Sequence, residues 1–230
     1  MQKKEKIILV LSTDTIHHRY FINRLHNEKI SMSRIFFEKP QKTPLYTKYN
    51  DLDKKQIKYE HSNFPKYKSV PQNIIENIDS VNSKYFKKYL SEKKPDLGIV
   101  FGTGLIRKET INYFKDGLVN VHRGIATEYR GLDSDLWAIY HNDYENLGVT
   151  IHMVETKLDT GDIIYTKKLH LNRNMNTTSL RFHTTILSTD LIIKTVNSYL
   201  NDNLECSPQQ KTGRYYSHMP YDLKILSEKK

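Results

Sequence analysis

The chain has 230 residues and a formal net charge of +10, with 37 % hydrophobic and 11 % aromatic residues, enough for the core of one large domain. Its longest apolar run, residues 7–11, is far too short to cross a bilayer, and the lone Cys206 excludes an intramolecular disulfide framework or a multi-cysteine metal site. The lysines are scattered, with no arginine-rich stripe and no zinc-finger or RNP pattern, so the charge suits a nucleic acid, a small anionic substrate or simply a lysine-rich surface.

The MQKKEK start lacks an extended apolar stretch and a small-residue cleavage site, so no signal peptide is expected and a cytoplasmic protein is the natural reading. Residues 6–12 (KIILVLS) then read as a buried strand closed by a polar turn, with a helix over 16–27 on an apolar side of Phe21, Ile22 and Leu25. Residues 30–39 suit a second strand. Residues 39–72 hold Pro40, Pro44, Pro65 and Pro71 without clear periodicity, and read as a long surface excursion with room for a short helix. From 72 to 90 the spacing of Ile74, Ile78, Val81, Tyr85 and Tyr89 predicts a helix.

Residues 95–104 (PDLGIVFGTG) look like a buried strand ending in a glycine turn, residues 107–114 a short helix, and residues 117–122 (GLVNVH) the next strand. Ser134 is a candidate N-cap for a helix carrying Leu136, Trp137, Ile139 and Tyr140, with Trp137 packing between helix and sheet. Residues 147–155 and 162–171 read as strands joined by the 156–161 loop. Residues 177–179 offer a cap for a last long helix with Leu180, Leu187, Leu191 and Val196 on one face. The tail, 201–230, reads as irregular and Tyr-rich. Strands alternating with helices argue for an α/β fold with a largely parallel sheet. The turn after the first strand has no G-x-G-x-x-G, which disfavours a nicotinamide cofactor.

The stretch VNVHRGIATEYRG (119–131) carries the chemistry. Strand alternation sends Asn120 and His122 to one side and Val119 and Val121 to the other, at the carboxyl end of a strand where open α/β sheets keep their ligands. An imidazole can take a proton from an attacking group, and a carboxamide can donate to a developing oxyanion, a pairing that serves carbonyl transfer to a nucleophile. A solvated strand face would also fit. Asp159, in VETKLDTGDII, is the best candidate for a carboxylate partner, although aspartate before Thr-Gly is also a common turn residue. His152 alternates with Thr150 and could support His122 or Asp159 from below. The ten histidines include no H-E-x-x-H or similar spacing, so no catalytic metal is expected.

Asn120-x-His122, the later Tyr129-Arg130-Gly131 and a Trp-containing helix, then Gly148, Thr150, His152 and Val154, then Asp159, Gly161, Ile163 and Ile164, together resemble the core of the 10-formyltetrahydrofolate-dependent formyltransferases over roughly residues 96–170. The resemblance implies a Rossmann-like open sheet, mostly parallel, with antiparallel strands after the catalytic segment. It implies a catalytic domain over 1–200 and a short C-terminal extension over 201–230 that is not an independent domain. The family loop after the histidine usually reads H-P-S-L-L-P. Here it is His122-Arg123-Gly124-Ile125-Ala126-Thr127, so the family's substrate contacts in this loop do not carry over.

As the resemblance implies, an acceptor amine attacks the formyl carbon of 10-formyltetrahydrofolate, His122 takes the amine proton, Asn120 holds the oxyanion, and Asp159 orients His122 and helps move the proton to N10, with no metal needed. The folate wall maps to Phe101, Gly104, Leu105 and Ile106 and to Val154, Glu155, Lys157 and Leu158, although Leu105 and Ile106 would serve equally as core. Thr13, His17, Tyr129 and Arg130 are candidates for the acceptor. The loop after the histidine and residues 133–139 resemble the nucleotide-sugar N-formyltransferases, so the expected acceptor is a nucleotide-linked amino sugar such as a dTDP-4-amino-4,6-dideoxyhexose, in surface polysaccharide (O-antigen) synthesis. Glycinamide ribonucleotide is the same-chemistry alternative, and a non-catalytic nucleic-acid-binding protein on this scaffold is the alternative from another class. Because few residues follow the motif core, the C-terminal barrel of a methionyl-tRNA formyltransferase is not expected. The expected partners are small molecules, not a membrane or a nucleic acid, and the Tyr-rich tail could lie over the cleft or form a homodimer contact.

Overall fold

A computed structural model describes residues 5–40, 44–48 and 50–230. Strand β1 (Ile8–Ser12) is buried along its whole length, because its alternate side chains feed different cores. Ile8 and Val10 join the helices α1 (Ile16–Asn27) and α6 (Thr177–Leu200) on one face of the sheet. Leu9 and Leu11 join α3 (Lys84–Lys93) on the other. This two-sided cover is what makes parallel strands read as unbroken apolar runs.

Seven strands form the sheet: β1, β2 (Arg34–Glu38), β3 (Ile75–Ile78), β4 (Leu97–Phe101), β5 (Leu118–His122), β7 (Gly148–Met153) and β8 (Ile163–Lys168), in the spatial order β3-β2-β1-β4-β5-β7-β8. The first five pair in parallel, and β7 and β8 add on antiparallel after β5. The chain therefore moves outward from β1 to β3, then crosses back to β4 on the other side of β1. Ligands of open α/β sheets bind at such a switch point, outside the carboxyl ends of the strands. The fold is the expected α/β, mostly parallel sheet with antiparallel strands after the segment bearing Asn120 and His122.

Several elements differ from the sequence expectation. Residues 72–90 are not one helix: a 3-10 turn, Gln72–Ile74, leads into edge strand β3, and α3 starts after Ser83, whose hydroxyl accepts from Phe86 N. The buried face of α3 is Phe86 and Leu90, with Tyr89 half-buried beside them against Phe36, while Tyr85 is 60 % exposed, so of the apparent stripe Tyr85 is turned to solvent. Within 39–72, residues 41–43 and 49 lie outside the described residues, and α2 (Asn50–Asn63) is a full helix. Its buried stripe is Leu52, Gln56 and Glu60. Gln56 donates to the Thr177 carbonyl at 3.0 Å, and Glu60 takes both Arg181 N–H groups at 2.6 and 3.0 Å.

The 107–114 helix shrinks to α4 (Lys108–Ile111). Ser134 is the first residue of α5 (Ser134–Tyr140) rather than its cap, a place taken by Asp133 in the left-handed region at φ 51°. The cap of α6 is Asn176, which exchanges side chain–backbone bonds with Ser179. The tail is ordered into β9 (Arg214–Tyr216), paired in parallel with β6 (Tyr129–Gly131), and α7 (Tyr221–Glu228), which packs against α5. Trp137 faces this tail, donating to the Ser217 carbonyl at 3.0 Å. Among the described residues no helix is long and apolar enough to cross a membrane.

Candidate active site

Val119 and Val121 sink into the α1/α6 core and turn Asn120 and His122 to the opposite face of β5. Antiparallel pairing with β7 then sets His152 directly opposite Asn120 and Thr150 opposite His122. Opposed residues on one face of a sheet are near neighbours, and Asn120 Nδ2 lies 3.1 Å from His152 Nε2. The β7–β8 connection folds back over this pair and brings down Asp159, held at φ 52° and 8 % exposed.

Asp159 stands at the centre. Its Oδ2 accepts from Gly131 N at 2.7 Å and lies 3.4 Å from His122 Nδ1. Its Oδ1 lies 3.3 Å from His152 Nε2 and 3.4 Å from Asn120 Nδ2. Burial alone would push this carboxyl up. The attraction of a protonated His122 ring and the hydrogen bonds to His152 and the Gly131 N–H outweigh burial and favour the charged carboxylate, whose pKa lies well below the usual carboxylate range. Each histidine also has a backbone acceptor at its other nitrogen. His122 Nε2 lies 2.7 Å from the Tyr129 carbonyl, and His152 Nδ1 lies 2.7 Å from the Met153 carbonyl. A proton reaching the ring of His122 therefore finds an acceptor on either side.

The loop bearing Asp159 is tied down from outside. Gln209 Nε2 donates to the carbonyls of Asp159 and Gly161, both at 2.9 Å. Arg130 donates to the carbonyls of Leu158 at 3.0 Å and Gly213 at 2.7 Å.

A cleft of about 610 Å³ opens over Asn120, His122 and Asp159. Phe101, Gly104, Leu105 and Ile106 line it from the β4 turn, and Val154, Glu155, Lys157 and Leu158 from the β7–β8 loop. Leu105, 51 % exposed, and Leu158, 38 % exposed, stand open as apolar surface. Thr13 and His17 line it from the β1–α1 turn.

The structure thus brings together the three residues expected to be catalytic, the eight expected on the folate wall, and Thr13 and His17 of the acceptor candidates. It does not bring the side chains of Tyr129 and Arg130 to the cleft. Tyr129 reaches the site through its carbonyl while its hydroxyl donates to Asp143 at 2.9 Å, and the Arg130 guanidinium is turned to carbonyls.

Other lining residues were not anticipated: His18, Arg123, Asp135 and His218. His18 packs edge-on against Phe101, and burial holds both His17 and His18 well below the usual histidine range. Burial pushes the Asp135 carboxyl up. Asp133, which accepts from Met219 N at 2.9 Å, fastens the segment that carries His218 to the cleft rim. Arg123 follows His122 directly, and its departure from the family loop was the signal that could have found it. Among the described residues no group of three or more His, Cys, Asp or Glu side chains is arranged to hold a metal ion.

The chain is 32 % identical over 121 residues to the methionyl-tRNA formyltransferase of Finegoldia magna, a match covering 52 % of this chain and 39 % of that protein. It thus spans less than half the length of that curated relative. A sugar N-formyltransferase from a Shewanella species superposes with a TM-score of 0.68 at 14 % identity, over 97 % of this chain and 87 % of that one. The N-formyltransferase of Helicobacter canadensis, solved with folinic acid and dTDP-3-aminofucose, gives 0.62 at 18 % identity, over 93 % and 71 %. At such identities the likeness to the solved structures is one of fold. The "Formyl transferase" family model matches residues 5–196, which takes in every strand of the seven-stranded sheet together with Asn120, His122 and Asp159, and on that ground the chain belongs to the formyl transferase family.

Proposed function

We propose that the chain transfers the formyl group of 10-formyltetrahydrofolate to the amine of a nucleotide-linked amino sugar, specifically a dTDP-4-amino-4,6-dideoxyhexose such as dTDP-4-amino-4,6-dideoxyglucose, for surface polysaccharide synthesis. The observation that carries the reading is the convergence of Asn120, His122 and Asp159 at one end of β5, in the floor of the 610 Å³ cleft. The open leucines 105 and 158 suit the flat face of a pterin, and the backbone groups around them suit its ring edges.

In this reading the amine nitrogen bonds to the formyl carbon and the carbonyl oxygen becomes an oxyanion. Asn120 Nδ2 releases its long 3.4 Å contact with Asp159 and donates to that oxygen, an interaction whose loss in such sites costs about 3–4 kcal/mol. The amine proton passes to His122, where Asp159 lies 3.4 Å from Nδ1, and on to N10 as the C–N10 bond breaks.

The curated relatives favour a second acceptor, methionyl-tRNA. One assay separates the two: product mass after incubation with 10-formyltetrahydrofolate and a panel of amino-sugar nucleotides, glycinamide ribonucleotide and methionyl-tRNA. A formyl gain on a dTDP-amino sugar, lost in Asn120→Ala and His122→Ala, supports the proposal. A gain on methionyl-tRNA alone replaces the sugar, and no gain on any acceptor sinks the reaction. Salt-dependent nucleic-acid binding without folate binding would point to the non-catalytic alternative.

A further inference from the structure

Arg123 lines the cleft one residue after His122, and its Nη1 is buried with no hydrogen-bond partner among the described residues. A guanidinium stays charged and carries its donors in a rigid fork, so a buried donor left unmet is destabilising unless something else meets it. The other arginines around the site are answered within the protein. Arg181 is clasped by Glu60 at 2.6 and 3.0 Å, Arg19 pairs with Asp14, and Arg130 donates to two carbonyls.

The charged and titratable groups that feel Arg123 do not answer it. His17 and His18, on the β1–α1 turn, are kept toward the neutral form by burial, and the Arg123 charge pushes them the same way. Asp135, on α5, has one carboxylate oxygen taken by Leu136 N at 2.9 Å, and burial raises its carboxyl against the pull of Arg123. The cleft wall beside His122 therefore carries a guanidinium with a donor that no group among the described residues meets. In the loop as the family usually has it this position is proline, which has no donor to offer.

We propose that Arg123 is an acceptor-specificity residue whose guanidinium receives an oxyanion, a carboxylate or phosphate oxygen, carried by the acceptor substrate. This rests on the formyl transfer proposed above. Arg123 acts on the β1–α1 turn and the start of α5, whereas the folate wall is built from the β4 turn and the β7–β8 loop, so the anion is assigned to the acceptor and not to the glutamate tail of the folate.

Two measurements test it, one of them independent of formyl transfer. In thermal melts, inorganic phosphate is expected to raise the melting temperature of the protein in a concentration-dependent way beyond potassium chloride of equal ionic strength. Arg123→Met is expected to melt at the same temperature or higher without phosphate and to lose the phosphate response, and Arg123→Lys to keep part of it. With a formylated acceptor in hand, Arg123→Met is expected to raise the acceptor KM about 10–100-fold, with a smaller change in kcat and none in the KM for 10-formyltetrahydrofolate.

A variant that melts several degrees lower yet keeps the phosphate response would make Arg123 structural and overturn the inference. A change that falls on the folate KM would give the anion to the folate tail and overturn it equally. An Arg123-dependent phosphate response with no formyl transfer to any acceptor would refute the proposed reaction and leave the anion site standing.

Discussion

Replacing Asp159 by asparagine removes the charge at the centre of the site and keeps its shape. The asparagine oxygen can still accept from Gly131 N, now 2.7 Å from Oδ2. Its amide then faces His152 Nε2, 3.3 Å from the present Oδ1. With the Nδ1 proton of His152 directed to the Met153 carbonyl at 2.7 Å, Nε2 has one lone pair, for which that amide competes with Asn120 Nδ2 at 3.1 Å. One amide donor is thus left strained in the variant, and the loss of stability should stay within about 1–3 kcal/mol, the range for one strained or unmet buried polar group. What disappears is the anion 3.4 Å from His122 Nδ1. A proton taken from the acceptor amine then has no carboxylate to hold it, and kcat should fall by about 10²–10⁴, the usual range for general acid–base catalysis. Steady-state formyl transfer on the acceptor identified by product mass, alongside a thermal melt of the same preparation, measures both quantities. A variant with kcat within about threefold of the parent would refute the assigned role of the pair, since the catalytic range begins near 10². So would a variant whose lost activity merely tracks lost fold.

The remaining predictions use the same two readouts. Asn120→Ala should lower kcat by about 10²–10³ with little change in the folate KM; an effect on KM alone would make Asn120 a binding residue. Gly161→Ala would put a Cβ 2.8 Å from the Met153 carbonyl carbon, and closer still to its oxygen, forcing the Asp159 loop outward. A displacement near 1 Å should reduce kcat about 100-fold, and wild-type activity would mean the loop does not position Asp159. Acid should destabilise the fold early through His17 and His18, whose folded values lie below the ordinary one. As pH falls below about 6.5 the unfolded chain takes up protons that the folded chain refuses, so stability drops by up to about 1.4 kcal/mol per pH unit for each histidine. Urea melts from pH 8 to 5 should show that slope, flattened in a His17→Gln, His18→Gln double variant; an unchanged slope would remove these residues from the account.

The strands that carry the fold were legible because each is buried on both sides or alternates cleanly. Residues 7–11 and 97–101 are apolar runs between two helical layers, and the alternation of residues 118–122 separates core from site. Other parts were hidden for physical reasons. The buried stripe of α2 consists of Leu52, Gln56 and Glu60, so its place is set by a hydrogen bond to Thr177 and an ion pair with Arg181 that no local pattern contains. The helical spacing through residues 74–89 arises because Ile78 and Val81 fill the space under α3 from outside the helix, while Phe86 and Leu90 fill it from within. Strand β9 is only three residues long and exists because β6, far away in sequence, gives it a partner.

The same division separates the chemistry from the acceptor. Asn120, His122 and His152 sit on two hydrogen-bonded strands, and a one-residue slip of β7 against β5 would turn His152 to the other face, away from Asn120. Their geometry is therefore fixed by the core behind Val119 and Val121, and a local pattern suffices to see it. The opposite wall is assembled from the β1–α1 turn, Arg123, the start of α5 and His218, segments that meet only in the folded chain. Arg123 lies just beyond the end of β5, so its side chain is free of the strand's alternation and can change without disturbing the pairing that holds His122. Binding determinants placed on loops over a rigid scaffold vary in this way while the scaffold holds still. It follows that the reaction can be read from the strand and the acceptor cannot, and that a change of acceptor in this fold would be sought first at residue 123 and the turns facing it, with Asn120, His122 and Asp159 left in place.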